Sequence, residues 1–271
     1  MKRSNRLVSM TNFFLENPRE HRQLPYFAEI YESSKSSLSE DLDIINDVFQ
    51  REELGFLDRT AGASGGVQYI PEFSREKSIR FISELRDKLE DPSRILSGGY
   101  LYMSDILGDP GETREIGRVF ASAFARKDID VIVTVATKGI PLAYAVASFL
   151  DVPVVIVRRD PKVTEGSSVS INYVSGSSRK IQTMVLPKRS LKEGANVCII
   201  DDFMKAGGTI TGMINLLEEF DANVKAIGVL AEADDEEEDR VVEEYTSLVK
   251  ITSVDMKRKH IEVRPGNFEE N

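Results

Sequence analysis

The chain has 271 residues, with 35 Lys and Arg against 45 Asp and Glu, a net charge of −10. That length holds one large or two modest domains around an ample core, and its best candidate for a membrane span, residues 139–150, is too short and contains Pro141. A single cysteine, Cys198, and two histidines, His21 and His260, exclude a disulfide framework and a Cys- or His-built metal site, and make a reducing cytoplasm the expected compartment.

Taken alone, a negative net charge argues against nucleic acid as a partner. The charge is uneven, however. Residues 232–244 hold nine acidic residues and one Arg, so the rest of the chain sums to only −2. Lys2, Arg3 and Arg6 stand unopposed at the start, and residues 156–193 carry eight basic against three acidic residues. The acidic run reads as a solvated face or loop without chemistry.

In chain order, Leu7, Met10, Phe14 and Leu15 recur near helical spacing until Asn17-Pro18 closes the segment. Residues 26–31 fit a short second helix. A third fits Leu42, Ile44, Ile45, Val48 and Phe49, with Ser37 or Ser39 as N-cap and a capping-box spacing from Ser37 to Glu40. Phe56-Leu57, a Gly-rich loop at 62–66 and residues 67–70 then read as a β-hairpin. Three helices followed by a hairpin is the order of a winged helix-turn-helix, with the loop as wing and the third helix as reader of the major groove. A helix over residues 75–89, with Ile79, Ile82, Leu85 and Leu89 on one stripe, links this unit to the remainder. Thereafter strands and helices alternate at 130–135, 141–150, 152–157, 196–200, 210–220 and 224–230, which predicts an α/β domain with a mainly parallel sheet. The expected division is a winged-helix DNA-binding domain over 1–73 and an α/β domain over 74–271.

The most informative residues are Val197-Cys198-Ile199-Ile200-Asp201-Asp202-Phe203-Met204-Lys205-Ala206-Gly207-Gly208-Thr209. An apolar strand runs into two carboxylates, a Gly-Gly-Thr turn and a helix. Backbone N–H groups freed by the glycines, with the helix N-terminus, suit a phosphate; paired carboxylates suit a vicinal diol. Together they describe a ribose 5-phosphate. The segment resembles the phosphoribosyl pyrophosphate (PRPP) motif of type I phosphoribosyltransferases, with no Walker or dinucleotide-binding glycine pattern. That resemblance implies a pyrophosphate loop at Ala136-Thr137-Lys138-Gly139, with Lys138 on the diphosphate and a strained or cis peptide. It also implies a flexible loop closing over ligand at 161–182, flanked by Lys162, Arg179 and Lys180. Phe203 would be either a wall against a base or part of the core.

Across nearly its whole length the chain resembles the purine operon regulators of Gram-positive bacteria. Residues 35–42 and 201–209 carry the likeness, supported by 98–103, 158–160, 164–166 and 172–176. The resemblance implies a homodimer that binds double-stranded operator DNA upstream of purine genes, with PRPP or a related nucleotide as effector, Mg²⁺ held mainly by that ligand, no other cofactor and no protein-built metal site. Effector binding is expected at Asp201, Asp202, Phe203, Lys205, Ala206, Gly207, Gly208, Thr209, Thr137, Lys138 and Gly139, and no residue is expected to be catalytic. DNA contact is expected from Lys2, Arg3, Arg6, Lys35, Ser37 and Ser39. Repression and activation both stay open, as does a purine phosphoribosyltransferase with an accessory domain or a pocket for a guanosine alarmone. Two departures matter: Ala206 stands where enzymes of the fold have Thr, and the third helix carries Glu40, Asp41, Asp43 and Asp47, which must face away from DNA phosphates or find partners.

Overall fold

A computed structural model describes residues 1–62, 65–160, 166–174, 181–233 and 241–269. The first unit comprises α1 (Arg3–Glu16), α2 (Leu24–Tyr31), α3 (Lys35–Arg51) and an antiparallel hairpin of β1 (Gly55–Thr60) and β2 (Gly66–Pro71). Met10, Phe14, Phe27, Leu38, Leu42, Phe49, Leu57, Val67 and Tyr69 close one core drawn from all five elements. Edge-on aromatic packing helps to seat α2 on α1, with the Phe13 and Phe27 centroids 5.3 Å apart.

The cap of α3 lies earlier than the spacing suggests. Ser34, extended at φ −69° and ψ 150°, accepts a hydrogen bond from the Ser37 N–H at 3.2 Å. Ser37 is therefore a donor inside the first turn, Ser39 lies further in, and the expected box from Ser37 to Glu40 does not form. Among several neighbouring serines, the one that ends the extended connection takes the role. Ala63 and Ser64 of the wing loop lie outside the described residues.

The second unit begins with α4 (Arg75–Leu89), capped by Ser74, whose hydroxyl accepts from the Lys77 N–H at 3.1 Å. It continues through α5 (Ser104–Gly108), α6 (Pro110–Ala123), β3 (Val131–Val135), α7 (Ile140–Leu150), β4 (Val154–Val157), β5 (Ser168–Val174), β6 (Ile181–Pro187), β7 (Asn196–Met204), α8 (Gly208–Glu218), β8 (Asn223–Ala233), β9 (Thr246–Asp255) and β10 (His260–Pro265). The main sheet has the order β10-β9-β8-β7-β3-β4, parallel throughout except for the antiparallel edge strand β10. Both faces are covered. Ile132, Cys198 and Ile200 point towards α4–α7; Val131, Val133, Val197 and Ile199 point towards α8 and the β5–β6 hairpin. Double coverage is why β3 reads as an unbroken apolar run rather than an alternating one. Cys198 is fully buried, and burial pushes its thiol pKa up, as suits a small hydrophobe.

Several expectations change. The strand read as 196–200 runs on to Met204, so both carboxylates sit on β7 rather than after it. The segment read as one loop contains the antiparallel pair β5–β6, register Val174 to Ile181; residues 161–165 and 175–180, including Lys162, Arg179 and Lys180, lie outside the described residues. The acidic run is not wholly solvated: Glu232 is buried on β8, accepting from the Tyr245 hydroxyl at 2.6 Å and Ser247 Oγ at 2.7 Å. Residues 234–240 lie outside the described residues. The helices α5 and α6 and the strands β9 and β10 are additions to the elements read from sequence.

Candidate functional site

The carboxyl ends of β3 and β7 and the start of α8 open on one cleft of about 1260 Å³. Asp201 is 4% exposed, and its Oδ1 accepts the Asp202 backbone N–H at 2.9 Å. Burial, reinforced by the neighbouring Asp202 charge, pushes the Asp201 pKa well up, with Arg159 opposing. Burial likewise raises Asp202, against the pull of its hydrogen bond with Asp201 and the Lys138 charge. These acids therefore sit where the ionised form is disfavoured until hydrogen-bond donors arrive.

The chain then turns through Gly207 at φ +90°, which serves as N-cap of α8 with no side-chain hydrogen bond to the first turn. A Cβ at Gly207 would lie 3.0 Å from Val242 Cγ2 in a backbone region that L side chains avoid. Gly207 gives the opening amides of α8 no side-chain acceptor, an arrangement suited to an anion. At the end of β3, the peptide between Ala136 and Thr137 is cis. Gly139 lies beneath the loop, where a Cβ would sit 2.3 Å from Thr134 Oγ1 and 3.1 Å from Asp201 Oδ1. Only glycine lets the two loops close on each other.

Of the residues expected to bind effector, Thr137, Lys138, Asp201, Asp202, Phe203, Lys205, Ala206, Gly207, Gly208 and Thr209 line the cleft; Gly139 supports it from below. Phe203 lines the cleft and packs against the core beneath it. The structure adds Arg158 and Arg159 at the end of β4, and a small loop at 96–101 with Gly98 at φ +85° and Gly99 at φ +77°. The Gly-Gly pair was the available signal for that loop, and the Arg-Arg pair after an apolar run was the signal for the cations.

At the other unit, the expected DNA contacts separate into two groups. Lys2 and Lys35 are exposed, and Ser37 and Ser39 are half-buried in the opening turns of α3. Lys35, Ser39 and Arg59 line a groove of about 490 Å³ between α3 and the β1–β2 turn. Arg6, by contrast, is 7% exposed and turned inward, with Nε 2.5 Å from Asp41 Oδ2. Arg3, half exposed, reaches Asp41 Oδ1 at 2.8 Å and Glu40 at 3.5 Å. Three of the four acids of α3 thus find protein partners, Asp41 with two arginines, Glu40 with Arg3 and Asp43 with Arg59 at 2.8 Å, while Asp47 is exposed. Arg6 is a strut between α1 and α3, because its spacing from Leu7 and Met10 puts it on the inner face of α1. It is not offered to a DNA phosphate.

Residues 2–71 match the model of the bacterial purine repressor N-terminal domain, and residues 103–265 match the phosphoribosyl transferase domain. The purine biosynthesis transcriptional repressor PurR of Bacillus subtilis (strain 168) is 58% identical over 98% of this chain and 93% of its own length. The chain belongs to the bacterial purine repressor family.

Within the family the name of the control differs. The purine biosynthesis transcriptional activator PurR of Lactococcus lactis subsp. lactis is 45% identical over 99% of this chain and 98% of its own. A purine repressor fold therefore serves proteins named for opposite signs of control. Adenine phosphoribosyltransferase from Thermoanaerobacter pseudethanolicus superposes with a TM-score of 0.51 at 22% identity, covering 62% of this chain and 98% of that one, which shows the shared fold of the second unit. No helix among the described residues is long and apolar enough to cross a membrane.

Proposed function

We propose that this purine repressor family member is a DNA-binding transcriptional regulator of purine biosynthesis and salvage genes, working in the cytoplasm as a homodimer, with PRPP lowering its affinity for operator DNA. The observation that carries the reading is the union in one chain of a winged helix with a cleft holding Asp201 and Asp202 beside the open amides of α8. The 5′-phosphate of PRPP fits those amides together with Gly207, Gly208 and Thr209. Its ribose diol fits the two carboxylates, and its diphosphate fits Lys138 and the loop at 136–139. Ala206 withholds the hydroxyl that a threonine would supply, a loss of about 1 kcal/mol, and Lys205 stands beside it as a cation. Among the described residues no group of three or more His, Cys, Asp or Glu gathers to cage a metal, so Mg²⁺ would be held mostly by the diphosphate and water. We keep the division into residues 1–73 and 74–271: the first core ends at Tyr69, and Phe73, the last residue of the first unit, packs across the boundary into the second core.

DNA phosphates would meet Lys2, Arg3, Lys35 and the opening turns of α3 near Ser37 and Ser39, with Arg6 holding α3 in place. A multiply charged anion in the cleft opposes a polyanion nearby, so the two ligands weaken each other's binding by the same factor. The reading assigns the chain no transferase activity; incubation with PRPP and each purine base should release no pyrophosphate, and release would favour an enzyme. The decisive measurement is operator affinity with and without PRPP at fixed salt. Weaker binding with PRPP is expected, and identical affinities would remove PRPP as effector.

A further inference from the structure

The two units meet at two places: Glu53 accepts from Ser74 Oγ at 2.6 Å and from Arg80 at 3.1 Å at the start of α4, and a second set of contacts gathers on the C-terminal half of α6. Phe73, between β2 and α4, donates its backbone N–H to Ser122 Oγ at 2.9 Å. The Arg19 guanidinium reaches the Ala125 carbonyl at 3.3 Å. Between these contacts lies Arg118, whose guanidinium carbon is 4.7 Å from the Phe73 ring centroid and 4.9 Å from the Phe149 ring centroid. Both distances fall within the reach of a cation–π attraction. The Nε of Arg118 is buried with no hydrogen-bond acceptor, so the aromatic faces are its compensation at that atom.

The two rings belong to different working parts. Phe73 lies two residues past the end of β2, the second strand of the wing hairpin. Phe149 stands at the far end of α7, whose N-cap is Gly139 in the pyrophosphate loop. Between those ends α7 has no slack against α6, since a Cβ on Gly117 would lie 2.6 Å from the Ala145 Cβ. Helices packed that closely slide as units rather than deform. Tyr69 on β2 lies within the field of the same arginine. Burial raises its pKa to about 12, the Arg118 charge opposes the rise, and its hydroxyl donates to the Leu54 carbonyl at 2.6 Å.

From this arrangement we infer that Arg118 is a positioning residue that couples the effector cleft to the DNA-reading unit, holding the winged helix on α6 through Phe73 and passing displacement of α7 to it through Phe149. The inference rests on the PRPP reading above. Its observable is the coupling factor, the ratio of operator dissociation constants with and without PRPP.

Arg118→Met keeps the length of the side chain and removes the cation. It should cut the coupling factor about 5-fold, while operator affinity without PRPP and PRPP affinity without DNA each stay within about 2-fold. Arg118→Lys retains a cation over the rings and should recover most of the factor. Phe149→Leu tests the same link from α7 without touching the arginine, and should lose coupling as Arg118→Met does. An unchanged coupling factor in both Arg118→Met and Phe149→Leu would overturn the inference. So would joint loss of both affinities in Arg118→Met without rescue by Arg118→Lys, which would mark the residue as packing alone. The wild-type chain is measured first: if PRPP does not alter its operator affinity, the functional reading fails, and this inference with it.

Discussion

Asp41 and Asp201 are the two buried aspartates among the described residues, at 0% and 4% exposure, and they sit in different company. Asp41 is closed off by Arg6 at 2.5 Å and Arg3 at 2.8 Å, so both of its oxygens are used within the fold. Asp201 has the Asp202 backbone N–H on one oxygen and, among the described residues, no arginine or lysine in salt-bridge contact. Removing a carboxylate from water costs several kcal/mol unless a partner repays it. At Asp41 the partner is already present, which makes the residue architectural. At Asp201 the compensation is incomplete, and burial raises its pKa. Incomplete compensation is what a binding site looks like before its ligand arrives.

The strongest way to break that contrast is to remove the charge from each side. Asp41→Asn leaves the nearly buried Arg6 without its counterion and should cost about 3–5 kcal/mol, read as a lower midpoint in denaturant unfolding. Operator binding should fall with it, because α3 loses its strut to α1. A stability close to wild type would mean that the arginines find solvent or other partners, and Asp41 would lose its architectural role.

Asp201→Asn with Asp202→Asn should act in the opposite sense on stability. In the folded chain both carboxyls hold their protons to higher pH than in the unfolded chain, so the folded state binds more protons over the window above the ordinary carboxylate pKa of 3.8. Their stabilising contribution is full below that value and is lost as pH rises through the raised pKa values. The double variant should remove that fall and match or exceed wild-type stability at neutral pH. PRPP affinity should drop about 100-fold through loss of charge-assisted hydrogen bonds, with operator affinity in the absence of PRPP retained. A calorimetric titration with PRPP, beside unfolding curves across pH, checks both halves.

What the sequence makes legible follows the range of the interactions. Local spacing places α4 at residues 75–89 and the carboxylate pair before a Gly-Gly-Thr turn, because strand, turn and helix signals there are all within a few residues of each other. The partner of a charge is not local. Arg6 reads as an exposed cation near the amino terminus, and only the crossing of α1 over α3 brings it to Asp41, 35 positions away. The same holds for Glu232, one of nine acids in a run that looks solvated, yet hydrogen-bonded to Tyr245, just before β9, and to Ser247 on it. The edge strand β10 does carry the alternation of a half-buried strand, His260, Glu262 and Arg264 against Ile261 and Val263, but over a span of only six residues.

A smaller effect is expected beneath the cleft. Gly139→Ala would force a Cβ to 2.3 Å from Thr134 Oγ1, at a cost of about 1–3 kcal/mol. The loop at 136–139 must then move away from Asp201, so PRPP affinity should weaken while the unit carrying Asp41 is untouched. Thermal unfolding and PRPP titration together decide it; unchanged affinity would show that the loop does not need this close approach.

The same contrast between closed and open polar groups recurs at two helix starts, where the expected effect is smallest. α3 begins with Ser34, whose hydroxyl already accepts the Ser37 N–H at 3.2 Å. α8 begins with Gly207 and has no side chain in that role. Ser34→Ala should therefore cost about 1 kcal/mol of stability and weaken operator binding slightly, since Lys35, Ser37 and Ser39 hang on that first turn. Ser37→Ala keeps the cap, because Ser37 contributes its backbone N–H there, and should leave stability within about 0.5 kcal/mol of wild type while reporting any direct contact of its hydroxyl with DNA. If the stability loss instead follows Ser37, the cap belongs where the residue spacing suggests, and the start of α3 is less firmly closed than Ser34 makes it. If it follows Ser34, one helix start is sealed by its own chain, and the amides at the other remain available to a phosphate.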